Sequence, residues 1–273
     1  MKLGDPIPIP KLPDELVNEV REHIRTFSVS IIIGPESERP VPCAGILCTT
    51  EHSKGVLTAR HVWEQWKERP AVLLAGSRAI RIDETAVHAV APAATSSELK
   101  GINTDVPDIA FVTLSAATCS TVEALGKAFY NLDRHAGNEA AQIGSAGFYI
   151  THGTPDVLTD AGTKKAANFT YVTRATNAFE KGDWDYIEVG LDLSGNPDIP
   201  EKLGGVSGGG VWRGLMYQEE GSSVLTIPDI YEDIALVGVN FYQTAGVESS
   251  VLIGHGPRSI YETLRAQIQR KHA

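Results

Sequence analysis

Short apolar runs, each closed off by turn residues, recur along almost the whole chain. That rhythm constrains the fold more than any other feature. Residues 27–33 form a β-branched run. Residues 44–49 and 55–59 form two more, parted by Glu51-His52-Ser53-Lys54. Residues 72–75, 79–82 and 86–90 are brief, with Gly76-Ser77 and Asp83-Glu84 between them, and 109–114 has the length of a buried strand. A second series follows at 142–149, 168–175, 186–191, 211–215, 223–227 and 234–242. Short runs at this spacing, with turn signals between them, predict an all-β sandwich or barrel. Helical signals flank and divide the two series. Leu16, Val17, Val20 and Ile24 predict a short helix over 14–26, with Asp14 as its cap. Residues 121–136 read as a helix-like connector. Pro257, Ile260, Leu264 and Ile268 predict an amphipathic C-terminal helix over 257–271.

The chain has 273 residues, 42% of them hydrophobic, enough for a full core in one large domain or two small ones. Its formal net charge of −10 and its lack of a Lys/Arg cluster argue against a nucleic-acid partner. No apolar run of about 20 residues is present, so no membrane span is expected. The first 20 residues carry Pro6, Pro8, Pro10 and Pro13 and lack the pattern of a signal peptide. Cys43 and Cys48 fall on one expected strand, too far apart to bridge. With Cys119 they read as buried, reduced thiols. The eight histidines show neither zinc-ligand spacing nor an i, i+4 pair, so no metal or cofactor is expected. These features together predict a cytoplasmic location.

Candidate chemistry starts at Gly204-Gly205-Val206-Ser207-Gly208-Gly209-Gly210. Glycine at this density lets a backbone turn tightly and aim its N–H groups at one point. A serine there can be held beside two donors, as a nucleophile with an oxyanion hole requires. By itself the stretch is equally a Gly-rich surface turn. A serine needs a base, best a histidine oriented by a buried carboxylate. His61, in Leu57-Thr58-Ala59-Arg60-His61-Val62, directly follows an apolar strand. Asp108, in Pro107-Asp108-Ile109-Ala110-Phe111-Val112, directly precedes one, and Asp105 is a competitor in a more loop-like setting. Each residue taken singly is more simply a loop histidine or a turn aspartate.

Together the three stretches resemble the trypsin-like (chymotrypsin-fold) serine proteases. That family's motifs stand here as Leu57-Thr58-Ala59-Arg60-His61, Asp108-Ile109-Ala110-Phe111 and Gly205-Val206-Ser207-Gly208-Gly209, in the family's order of His, Asp, Ser. Cys43-Ala44-Gly45-Ile46-Leu47, Val237-Gly238-Val239-Asn240 and the terminal helix also match, so the resemblance covers roughly residues 27–271. It departs at Arg60, where a small residue is usual, and at Val62, where secreted members carry a cysteine. Gly210 replaces a common proline. Val206 replaces the aspartate that pairs with a newly cut N-terminus in many animal members. The flavour is bacterial and HtrA-like, without room for a PDZ domain.

The resemblance implies two packed antiparallel six-stranded β-barrels. It divides the chain into an N-terminal extension with a short helix (1–26), a first barrel (27–120), a connector (121–140), a second barrel (141–256) and a C-terminal helix (257–273). It implies peptide-bond hydrolysis of a protein or peptide substrate by His61, Asp108 and Ser207. The backbone N–H groups of Gly205 and Ser207 would form the oxyanion hole. A substrate pocket would lie near Glu201 or Lys202, which would confer opposite preferences, and near Asn240, Phe241 and Tyr242. Two other readings remain open. A protease-like fold can serve as a catalytically idle binding module. The G-x-S-x-G pattern also occurs in α/β-hydrolase esterases, although these need a helix after the serine and the acid and histidine later in the chain.

Overall fold

The computed structural model describes residues 13–34, 40–76, 78–82, 88–90, 107–160, 165–166, 169–173, 175–192, 203–218, 225–244 and 249–272. Helix α1 (Asp14–Phe27) leads into strand β1 (Ser28–Ile33). There follow β2 (Val41–Thr49), β3 (Lys54–Thr58), α2 (Arg60–Trp66), β4 (Ala71–Ala75), β5 (Arg78–Arg81), β6 (His88–Val90) and β7 (Ala110–Thr113). These strands pair antiparallel in the order β5-β4-β1-β2-β3-β7-β6. The β-branched β1 lies between two neighbours and is buried at every position, which is why it reads as a continuous apolar run. Its pairing with β2 stops at Ile46, and β8 (Tyr130–Asn131) takes over at Cys48 and Thr49, as the one parallel pairing among the described residues.

The expected connector helix is replaced by shorter pieces. Helix α3 (Ala116–Ala124) starts earlier than the sequence suggests, because Ser115 caps it through the Thr118 N–H. It is followed by β8, α4 (Leu132–His135) and a 3₁₀ turn at Glu139–Ala141.

The second sheet is built from β9 (Phe148–Gly153), β12 (Phe169–Thr173), β13 (Ala175–Lys181), β14 (Trp184–Asp192), β15 (Gly210–Gly214), β18 (Ile234–Thr244) and β19 (Ser249–His255), in the order β12-β9-β15-β18-β19-β14-β13, all antiparallel. Two small hairpins stand outside it, β10 (Thr159–Asp160) with β11 (Lys165–Ala166) and β16 (Tyr217–Gln218) with β17 (Leu225–Thr226). A single turn, α5 (Ile230–Asp233), precedes β18, and the chain closes through a π-turn (Ser259–Leu264) into α6 (Arg265–His272). Mostly antiparallel β structure is therefore as expected, with seven strands rather than six along each antiparallel path among the described residues. Strand β19 was not foreseen.

Two clusters fill the individual sheets and a third is common to both. The common cluster gathers Ile46, Leu57 and Phe111 from the first sheet and Phe148, Ile150, Trp212 and Leu236 from the second. It also takes in Phe27 of α1, Tyr130 of β8, and Ile260, Leu264 and Ile268 at the C-terminus. Beside it, the Ser30 and Thr154 hydroxyls bridge the sheets at 2.7 Å. Cys43, Cys48 and Cys119 are free and buried, and burial pushes the Cys43 thiol up to about 12. Among the described residues, no helix is long and apolar enough to cross a membrane.

Candidate active site

Strand pairing brings the histidine and the acid together. Thr58, the last residue of β3, pairs with Ala110, the first of β7. The chain leaving β3 and the chain entering β7 therefore meet at one end of the sheet. Beyond β3 the backbone turns directly into α2, so His61 sits in a helical first turn rather than in a loop. Val62 and Trp66 anchor that helix in the first-sheet core, and Arg60 pairs with Glu64 at 2.9 Å on the helix surface.

Asp108 uses both carboxylate oxygens on His61. Oδ1 accepts the His61 backbone N–H at 2.8 Å, one of the donors a helix start leaves unsatisfied, and Oδ2 lies 2.6 Å from Nδ1. With Nδ1–H donating to the carboxylate, the neutral ring carries its lone pair on Nε2. The side chains are 31% and 14% exposed, so solvent screens the pair only partly. Burial pulls the His61 pKa down, but the hydrogen bond and charge of Asp108, with the charge of Glu64, outweigh it and hold it above 6.5. Burial raises the Asp108 pKa, but the hydrogen bond and charge of His61, its backbone N–H and the nearby His255 bring it below 3.8.

Ser207 lies in the turn that precedes β15, and that turn is pinned to both sheets. On the second sheet, the Gly208 N–H donates to the Asn240 carbonyl at 2.7 Å and the Asn240 N–H to that of Gly209 at 2.8 Å. On the first sheet, the Ala44 N–H donates to the Ser207 carbonyl at 2.9 Å. Gly208, at φ +86°, approaches so closely that a Cβ would lie 2.1 Å from the Ala44 carbonyl oxygen and from Thr58 Oγ1. The serine loop thus touches the strand that delivers His61. Gly205 has φ +89°, and a Cβ there would lie 2.5 Å from the Thr154 carbonyl oxygen. The N–H groups of Val206, Gly208 and Gly209 are spent on Leu203, Asn240 and Val206. Those of Gly205 and Ser207 meet no acceptor among the described residues. The Ser207 hydroxyl is directed at the Phe241 carbonyl at 3.5 Å, the outer limit of a hydrogen bond, and none joins it to His61.

The expected pocket residues are dispersed. The Asn240 side chain is buried, donating to Thr151 Oγ1 at 2.9 Å. Tyr242 is exposed, and Phe241 packs its ring on His255. Glu201, Lys202 and Asp105 lie outside the described residues. Gln243 ties the start of the serine loop to the second sheet by accepting the Leu203 N–H at 2.9 Å. The sequence patterns did not single out His255. It is the last residue of β19, fully buried, with Nε2 2.8 Å from the Asp108 backbone nitrogen. Only the tertiary fold joins these two positions, so no sequence spacing points to the contact. Among the described residues, no group of three His, Cys, Asp or Glu side chains is placed to hold a metal ion.

Neither family models nor curated proteins give a match to the chain. Solved structures do. The Rv3671c protease of M. tuberculosis in its active form aligns with a TM-score of 0.51 at 15% identity, over 98% of this chain and 92% of that one. The HtrA-type protease AlgW with tripeptide aligns at 0.50 and 12% identity, over 94% of this chain and 64% of that one. At these identities the likeness is one of fold: the chain is similar to trypsin-like and HtrA-type serine proteases.

Proposed function

We propose that this chain is a serine endopeptidase of trypsin-like architecture, two β-barrels over 27–120 and 141–256 with the cleft between them. The observation that carries this reading is the bidentate grip of Asp108 on His61, at the strand end against which the Ser207 loop is pinned. Ser207 attacks the scissile carbonyl while His61 Nε2 takes its proton and later returns one to the leaving amine. Asp108 holds the imidazole tautomer and stabilises the imidazolium. The Gly205 and Ser207 N–H groups bind the oxyanion, and water then hydrolyses the acyl-enzyme.

One observation favours a second reading, a catalytically idle module: the Ser207 hydroxyl faces the Phe241 carbonyl and not His61. Apo sites often hold such bonds long until substrate arrives. An esterase of the α/β-hydrolase type would need a helix after the serine, where this chain enters strand β15. A fluorophosphonate reagent tests the proposal. Labelling of the parent at Ser207, absent in Ser207→Ala, is expected. A parent that stays unlabelled while folded would leave the module reading standing.

A further inference from the structure

We propose that His255 is a positioning residue for the acid–base pair: from the second sheet it holds the backbone of Asp108, and so the carboxylate that orients His61. The inference rests on the reading of His61 and Asp108 given above. Its geometry is specific. The Asp108 N–H donates to His255 Nε2 at 2.8 Å. The ring is completely buried, walled by Trp184, Tyr186 and Phe241 with ring centroids 5.6, 4.9 and 5.0 Å away.

Because Nε2 accepts, the ring proton of a neutral His255 resides on Nδ1, which is buried without a hydrogen-bond partner. The tautomer cannot reverse without losing the Asp108 bond. The charged groups facing the ring are Asp108 and Asp185. Burial outweighs both, lowers its pKa to about 4 and keeps it uncharged near neutrality. An uncharged acceptor secures the backbone without competing for the carboxylate, whose two oxygens stay on His61.

A buried histidine that merely satisfies a stray N–H would be an ordinary core residue. His255 differs in what it joins. Its hydrogen bond fixes the acid. Its face packs on Phe241, whose carbonyl receives the Ser207 hydroxyl. One ring on β19 therefore touches the residue holding the base and the strand facing the nucleophile. It transmits the docking of one sheet on the other to the alignment of the site.

The test uses ¹⁵N-labelled full-length protein. In the parent, a scalar coupling across the hydrogen bond between the Asp108 amide nitrogen and His255 Nε2 is expected, with Nε2 unprotonated from pH 5 to 8. No coupling, or a protonated Nε2, would overturn the proposal without any variant. His255→Leu removes the acceptor, and His255→Gln restores one. In His255→Leu, the His61 titration followed by NMR should fall towards 6.5. The turnover number kcat should drop roughly 10- to 100-fold, with KM little changed. His255→Gln should recover most of both. A folded His255→Leu with an unmoved His61 titration and unchanged kcat makes His255 a core residue only. The titration needs no turnover, so a chain that fails to react with fluorophosphonate sinks the hydrolase reading and leaves this one to be judged separately.

Discussion

At His61 and Asp108, opposite pKa displacements set opposite pH limits. The lowered Asp108 pKa adds stability above the ordinary value of 3.8, lost as pH falls through its depressed value. The raised His61 pKa adds stability that is complete below 6.5 and lost as pH rises through its elevated value. The pair therefore stabilises the fold most fully between pH 3.8 and 6.5. The proposed mechanism needs the neutral imidazole, so kcat/KM should rise with pH through a value above 6.5. Asp108→Asn should move that limb downward and cut turnover by on the order of 10⁴, the loss known for the corresponding change in the best-studied member of this fold. Ser207→Ala should remove acylation, and adding Asp108→Asn to it should make it scarcely worse, because the residues act as one unit. A pH–rate profile of parent and variants on any cleaved peptide reads all three. An acid limb that stays put in Asp108→Asn would remove Asp108 from its assigned role. The pairing of His61 with Asp108 was legible in the sequence, and Ser207 was singled out with them, because each sits on a short local pattern. His255 was not, since its significance is a contact made through the tertiary fold.

At the scale of elements, residues 142–147 mark where local pattern misleads. They read as the start of a strand, yet β9 begins only at Phe148. The backbone there is satisfied by side chains instead of a ladder. The Tyr149 hydroxyl binds both the N–H and the carbonyl of Gly144. The buried Arg213 guanidinium donates to the carbonyls of Glu139, Gln142 and Ala146. Such long-range satisfaction cannot be seen in a window of sequence. It also carries a prediction. Arg213→Met leaves three carbonyls short of a charged donor, which should cost about 3 kcal/mol or more in denaturant unfolding. A loss below about 0.5 kcal/mol, the range of ordinary surface changes, would mean that water replaces the guanidinium without penalty.

The whole molecule poses a question that the two series of short apolar runs leave open: whether two β-rich halves mean two folding units. The periodicity of each run fixes which residues are buried, but not which sheet they face. The common cluster decides the expectation. Ile46, Leu57 and Phe111 of the first sheet pack in one cluster with Trp212 and Leu236 of the second. The Tyr130 hydroxyl from β8 accepts the Leu236 N–H at 3.1 Å, and the Tyr261 hydroxyl donates to its carbonyl at 2.8 Å. Phe27 of α1 stacks on Trp212 at 5.9 Å and meets Tyr130 edge-on at 5.6 Å. Parting the halves would open this shared cluster, which is larger than the core of either half alone, so guanidinium unfolding should be one transition, reported alike by tryptophan fluorescence and far-UV circular dichroism. Trp63 and Trp66 report the first sheet, Trp184 the second and Trp212 the shared core, so separate unfolding of the halves would split the fluorescence curve. Phe27→Ala opens a cavity in that shared core and should cost about 3–5 kcal/mol, a large share of the roughly 5–15 kcal/mol of a typical domain. Its midpoint should fall equally for both signals. Two resolved transitions, or a Phe27→Ala shift confined to one of them, would show that the halves are independent domains and that the shared cluster is an interface between them.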